Sequence, residues 1–353
     1  MKLLITGVCG FVGSTLATFF KDHVQGCDIW GIDSLVRKGS ETNVEPLTSQ
    51  GVRFIHGDVR TQASFDEVPR VDWVIDAAAN PSVLAGVAGS SGPADVVHEQ
   101  IVGALNALEF CRRRSAGIIF LSTSRVYSIR SLSALSLGVS GNAYEPAVAR
   151  GDVSAAGVTE SFSTEAPLSI YGAAKRAVEL LVAEYHATFG VPAWINRCGV
   201  LAGAGQFGYD QQGIFSYWIH AFRRRAPLKY IGFGGHGYQV RDCLHPRDLA
   251  TLVERQMTVP PVAGEPITFN VSGGRDGAMS LRCLTEWCET RFGRHAIGSD
   301  SDDRPFDVPW LVLDSAAAQR RWNWAPTLPP AAIFEEIAAH SEQHPSWLEL
   351  TRP

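Results

Sequence analysis

The sequence holds no C-x-x-C pair, no run of about 18 apolar residues and no long block of like charge. Its seven cysteines stand singly at Cys9, Cys27, Cys111, Cys198, Cys243, Cys283 and Cys288. An odd, scattered set argues against a disulfide framework or a structural zinc site and fits small buried side chains in a reducing cytoplasm. No segment is expected to span a membrane, and the glycine-broken opening stretch lacks the apolar core of a signal peptide. A net charge of −5 without a basic face argues against a nucleic-acid partner. The densest basic runs, Arg112–Arg114 and Arg223–Arg225, each close an expected helix, where cations complement the dipole. His220, His236 and His245 show no ligand spacing, so no metal is expected.

What is present is ordinary globular material: 353 residues, 45% apolar and 19% charged. That suffices for one large α/β domain with an appendage, or for two domains. Short apolar runs at 2–6, 28–33, 52–58, 71–79, 117–122 and 193–197 read as buried strands. Amphipathic runs at 13–22, 94–112 and 171–189 read as helices. Strand–helix alternation with apolar strands predicts a doubly wound parallel sheet covered on both faces. Beyond residue 200 the pattern loosens into glycine-rich loops, a helix over 215–225, a strand over 267–271 and helices near 281–291 and 330–340. The stretch 128–166 is long for a structureless loop and is expected to be functional or partly ordered.

The opening run TGVCGFVGS sets Gly7 directly after the first strand and Gly13 directly before a helix. With 34 glycines such spacing arises by chance, and a plain strand–turn–helix would accept it. In this context, glycines permit a tight turn and let backbone N–H groups and the helix N-terminus approach a pyrophosphate. Asp33 ends the second strand, where a carboxylate accepts hydrogen bonds from ribose hydroxyls and repels a 2′-phosphate. Arg37 and Lys38 follow and could instead receive the 2′-phosphate of NADP; Asp33 favours NAD. Asp58, closing FIHGD, either meets the adenine amino group or caps its strand.

Further on, LSTSRVYS ends the fifth strand and SIYGAAK opens the helix before the sixth. Tyr171 and Lys175 share one face of that helix. A tyrosine, with an ordinary pKa of about 10, needs nearby positive charge to act as a base at neutral pH. Lys175 is the expected source, together with an oxidised nicotinamide. A hydroxyl from the fifth strand, Thr123 or a neighbour, would bond the same substrate oxygen.

These stretches, with VRDCLHPRDLA and FNVSGG beyond them, resemble the extended short-chain dehydrogenase/reductase family, the NAD-dependent epimerases and dehydratases of nucleotide-linked sugars. Within it, DSLVRKGSETNVEPL and GVRFIHGDVR are most similar to the CDP-paratose 2-epimerase branch. The resemblance implies an α/β fold: a Rossmann-type doubly wound sheet over 1–200 and a smaller C-terminal α/β substrate-binding domain over 201–353, some segments of which return to the sheet. It implies catalysis by Thr123, Tyr171 and Lys175. It implies NAD held by Gly7, Gly10, Phe11, Val12, Gly13, Asp33, Arg37, Asp58, Val59, Ala77, Ala78 and Ala79, with Tyr171 and Lys175. It implies a nucleotide-diphosphate sugar, CDP favoured, held by Asn80, Ser82, Thr123, Ser124, Arg125, Cys198, Gln206, Arg241 and Arg304. Tyr209, Gln211 and Gln212 are further polar candidates for that pocket.

The chain departs from the family at Gln100, where Asn is usual, at Ser128, where Gly follows V-Y, and at Cys198, where relatives carry Asn, Ser or His. A dehydratase would need an acidic pair beside Thr123, and Ser124 and Arg125 stand there instead. A 4-epimerase or reductase stays open, as does a dinucleotide-binding sensor, which would not need Tyr171 and Lys175. The helices over 94–112 and 171–189 are apolar around too much of their circumference for one buried face. In the family such helices pair across a two-fold, so a homodimer is expected.

Overall fold

The computed structural model describes residues 1–80, 82–84, 92–147, 151–209 and 212–352. At its centre lie seven parallel strands: β1 (Lys2–Thr6), β2 (Asp28–Asp33), β3 (Arg53–His56), β4 (Trp73–Asp76), β5 (Gly117–Thr123), β6 (Ala193–Cys198) and β7 (Thr268–Val271). Their order is β7-β6-β5-β4-β1-β2-β3. The winding direction reverses between β1 and β4, which opens a crevice at the carboxyl ends of those strands. Strands β4 and β6 are buried at every residue, as coverage of both faces requires. Strands β3 and β4 end earlier than the apolar runs. Residues 57–59 and 77–79 leave the sheet as loops at the crevice.

The covering helices follow the amphipathic pattern: α1 (Phe11–His23), α2 (Pro93–Arg114) and α3 (Ile170–Phe189), the last two packed side by side. Two later helices divide between layers. Helix α5 (Pro246–Thr258) packs on α1, and its Leu249, Val253 and Met257 join the core of the sheet with Trp322 and Trp324. Helix α4 (Ile214–Arg223) instead builds a second core from Phe215, Trp218 and Phe222 against Leu284, Cys288, Ile333, Phe334 and Ile337. This second unit is organised on the strand Val240–Leu244, which pairs with Val200–Leu201, Ala278–Ser280 and Trp310–Leu311.

The described residues of the stretch 128–166 are built rather than structureless. They hold the short helix Ile129–Ser133, the hairpin of Leu137–Ser140 with Ala143–Pro146, and a smaller hairpin at Val153–Val158. Val126, Tyr127, Val153, Val158 and Phe162 form a third core with residues 308 and 310–313, joining the end of β5 to the second unit. All seven cysteines are free and all but Cys283 are buried. Among the described residues no helix is long and apolar enough to cross a membrane, and no His, Cys, Asp or Glu group could hold a metal ion.

The basic runs behave differently from one another. Arg112 closes α2 and pairs with Glu109 at 2.9 Å. Helix α4 ends at Arg223, and Arg225, with φ +56°, donates instead to the carbonyls of Phe292, Gly293 and Arg294 beyond another helix. Such carbonyls lack intrahelical donors, so a cation there satisfies them across the chain.

Within the second unit His220 meets His340 edge to face and His344 lies tilted against His340, with His220 buried and its Nδ1 unpartnered among the described residues. Burial, then the His340 and Arg223 charges, pulls His220 down to about 3; burial and His344 pull His340 down to about 4. A depressed histidine binds its proton in the unfolded chain first. Stability is therefore whole above about pH 6.5 and falls as pH drops below it, by about 2 kcal/mol at pH 5 from His220 alone. Urea unfolding at both pH values, compared with His220→Asn, checks this; an identical acid loss in the variant would refute it.

Candidate active site

The turn after β1 is built so that nothing stands between the chain and an anion. Gly7 has φ +66°, and a Cβ there would lie 2.8 Å from the Ala78 Cα; at Gly13 a Cβ would lie 2.1 Å from the Gly7 carbonyl oxygen. Only glycine allows this approach. Helix α1 starts at Phe11 without a side-chain cap or an acidic residue in its first turn. Its leading N–H groups therefore face the crevice with the positive end of the dipole. Gly7, Gly10, Phe11, Val12, Gly13, Ala77 and Ala79 line one cavity of 540 Å³ at this point. Ala78 stands behind it, its N–H on the Thr6 hydroxyl.

Asp33 sits beside the turn. Its carboxylate accepts the N–H groups of Cys9 and Leu35, both at 2.9 Å, and burial raises its pKa. A carboxylate so placed at the end of β2 suits ribose hydroxyls and rejects a phosphate. Arg37 points elsewhere. Its guanidinium donates to the Phe207 carbonyl at 3.3 Å and lies over the rings of Phe207 and Tyr209, tying the β2 loop to the second unit. Asp58 is held by Arg60 and is partly exposed, while Val59 packs against Gly103 of α2. A dinucleotide fits this half: an open glycine turn, uncapped N–H groups and an acid beside them.

At the other side of the same cavity lie Thr123, Ser124, Arg125, Tyr171, Lys175 and Cys198. Thr123 ends β5, and its hydroxyl hydrogen-bonds Tyr171 in the first turn of α3. Ser169 caps that helix by accepting the Gly172 N–H at 3.0 Å, which sets where the tyrosine emerges. Burial pushes the Tyr171 phenol up to about 12, opposed by Thr123 and by the Arg125 charge. Arg125 lines the same wall, its Nη1 on the Phe306 carbonyl at 3.4 Å. The Lys175 ammonium donates to the Leu121 carbonyl at 3.1 Å and faces the buried Asp76, whose carboxylate accepts the Thr6 hydroxyl at 2.6 Å. Burial likewise pushes the Cys198 thiol up to about 12.

The cavity ends on Gln206, Arg241, Arg304 and Asp307. Arg241 pairs with Asp307 at 2.6 Å, not with its chain neighbour Asp242, which the Ser272 hydroxyl and Leu313 N–H hold. Gln206 donates to the Leu201 carbonyl at 2.6 Å. Asn80 and Ser82 bond within their own loop and stand off the cavity wall; Val83 and Leu84 line it instead. Gln212 lines the cavity, Tyr209 lies under Arg37, and Gln211 falls outside the described residues. Buried Gln100 leaves its amide nitrogen without a partner among the described residues. Sequence reasoning missed Phe207, Lys229, Gln239 and Asp307 on the wall. Only Asp307 carried a signal, the acidic stretch after residue 299 that already held Arg304.

Comparison with known proteins gives the family and the fold. The chain is 30% identical over 345 residues to the CDP-paratose 2-epimerase of Salmonella typhi, covering 92% of this chain and 95% of that one. It is 26% identical to the dTDP-glucose 4,6-dehydratase of Mycolicibacterium smegmatis, over 92% and 88% of the two chains. Its fold matches the UDP-glucose 4-epimerase of Thermotoga maritima, solved with UDP-glucose, with a TM-score of 0.77 at 20% identity over 97% and 99%. Since the model of the NAD dependent epimerase/dehydratase family matches residues 3–272, across the glycine turn, Thr123, Tyr171 and Lys175, the chain belongs to that family and its cofactor is NAD.

Proposed function

We propose that this protein is a nucleotide-sugar epimerase, with a CDP-linked sugar as substrate and C2 as the carbon inverted. One observation carries the choice of epimerase over dehydratase. Among the described residues that line the cavity, Asp307 is the lone carboxylate, and Arg241 holds it. Water elimination requires an acid to protonate the departing hydroxyl and a base for the neighbouring carbon, and no carboxylate stands beside Thr123 to do either. A sensor without chemistry would have no use for Thr123, Tyr171 and Lys175 on one wall.

In this reading Arg241 and Arg304 take the diphosphate, since guanidinium forks match phosphate oxygens. Thr123 donates to the reacting sugar oxygen and Tyr171, deprotonated, takes its proton. Lys175, four residues on along α3, supplies positive charge that favours the phenolate. The chemistry supplied by bound NAD is reversible hydride removal from the sugar carbon. Tyr171 returns the proton when the ketone is reduced from its other face, so the substrate leaves with unchanged mass. The CDP assignment rests on the Salmonella typhi relative. The exposed Val97 and Leu105 of α2 and Leu180 and Phe189 of α3 supply an apolar face for a two-fold partner, making the enzyme a homodimer.

Thermal shift with CDP, UDP, GDP and dTDP tests the substrate class. The expected outcome is the largest stabilisation by CDP, and turnover of a CDP-sugar without mass loss. A larger shift with UDP or GDP would overturn the nucleotide, and loss of water from the product would overturn the epimerase.

A further inference from the structure

We infer that Arg37 is a positioning residue that couples the two halves of the site, so that a nucleoside diphosphate in the cavity slows departure of the dinucleotide. This rests on the nucleotide-sugar reading for what fills the cavity, though not on the choice of CDP.

The loop after β2 is fixed at both ends to the chain that frames the dinucleotide. At its start, the Asp33 carboxylate that suits the ribose accepts the Leu35 N–H at 2.9 Å. Leu35 has φ +56°, left-handed backbone that a bulky side chain rarely adopts, and such a turn persists only where its surroundings hold it. At its far end, Asn43 Nδ2 donates to the Cys9 carbonyl of the glycine turn, also at 2.9 Å. From between these ends Arg37 crosses to the wall of the substrate cavity. Its Nη2 donates to the Phe207 carbonyl at 3.3 Å, and its guanidinium lies 5.8 Å and 5.2 Å from the ring centres of Phe207 and Tyr209. Phe207 lines the cavity. Tyr209 exchanges two backbone hydrogen bonds with Gln212, at 2.9 and 3.0 Å, and Gln212 lines it too. Trp347 holds the same segment from the other side, its Nε1 on the Gln206 carbonyl at 3.0 Å.

The chemistry of the clasp makes it responsive to what fills the cavity. Among the described residues no carboxylate pairs with Arg37, and its buried Nε has no partner. Aromatic faces stand in for a counter-ion, and cation–π attraction strengthens as water is excluded. A nucleotide that dries the cavity beside Phe207 therefore tightens the clasp. A tightened clasp in turn holds Leu35 and Asp33 in place for the dinucleotide. Coupling between two binding sites is reciprocal, so bound dinucleotide also favours the nucleotide. Removing the cation strands no carboxylate, so Arg37→Met has no buried charge to unfold it.

The test uses the enzyme loaded with NADH, whose fluorescence follows its release when excess NAD is added. In the parent, CDP should slow release about tenfold, the usual scale of coupling between sites. In Arg37→Met, CDP should slow it by less than about twofold, and Arg37→Lys, which keeps a cation over the two rings, should recover part of the effect. With a CDP-sugar, Arg37→Met should raise KM by more than it lowers kcat. If Arg37→Met does not fold, Arg37→Gln gives the same comparison. An undiminished CDP effect in the variant would overturn the assignment. So would release quickened by one factor with and without CDP, which would make Arg37 a contact of the cofactor alone. If UDP but not CDP slows release in the parent, and Arg37→Met abolishes that, Arg37 keeps its part and only the CDP assignment falls. If none of CDP, UDP, GDP and dTDP slows release in the parent, the coupling is refuted.

Discussion

Tyr171→Phe should lower turnover by about 10²–10⁴-fold while leaving NAD bound as before. The ring of Tyr171 is buried against Val96, with Val83 and Ile170 beside it. Phenylalanine fills the same space and removes only the oxygen. What is lost is the hydrogen bond from Thr123 and the atom that carries the proton. Cofactor affinity should persist because the glycine turn and the first turn of α1 lie at the far side of the cavity. The measurement pairs product formation by mass-balanced chromatography with calorimetric NAD binding. Turnover within tenfold of the parent would refute Tyr171 as the base. Parallel loss of NAD binding would mean that the tyrosine serves the cofactor and not the sugar.

Arg197→Met should cost about 3–5 kcal/mol of stability. Arg197 lies on β6 under α3, 6% exposed, and its Nη2 meets Glu179 at 2.8 Å with Glu179 1% exposed. Glu179 also accepts the Ser122 hydroxyl at 2.6 Å and Arg176 at 3.0 Å. Arg197 further donates to the Tyr127 hydroxyl and the Glu160 carbonyl. Removing the arginine leaves a buried carboxylate short of charge, and such a group cannot reach water. Glu179 lies one turn beyond Lys175, so the same network fixes the catalytic helix over β5 and β6. Denaturant unfolding of the single variant and of Glu179→Leu/Arg197→Met separates the causes. The double variant should recover much of the loss. A single variant within 1 kcal/mol of the parent, on the scale of about 1 kcal/mol typical of exposed ion pairs, would show that the pair is not buried in solution.

Much of the site was legible because its parts lie where a strand meets a helix. Gly7 to Gly13, Asp33, Thr123 and the Tyr171–Lys175 pair sit at strand or helix ends, and those ends follow from apolar periodicity. The loops between were less legible. Polarity makes Asn80 and Ser82 candidates, yet a loop's own hydrogen bonds claim polar side chains as readily as a ligand does, and the apolar Val83 and Leu84 line the cavity. Sequence proximity sets Arg37 beside Asp33, while its guanidinium goes to Phe207 and Tyr209 in the second unit. The stretch 128–166 hid two hairpins because the core they pack on, residues 308 and 310–313, is remote in the chain.

By itself the amino-acid sequence determined the order of strands and helices, the phosphate turn and the shared face of Tyr171 and Lys175. Each depends on residues within a few positions of one another, where steric limits and helix geometry leave few choices. Only the tertiary structure decided which charge meets which. Lys175 on α3 finds Asp76 on β4, and Arg241 finds Asp307. Coulomb interactions act through space, and the chain separations they bridge carry no local pattern.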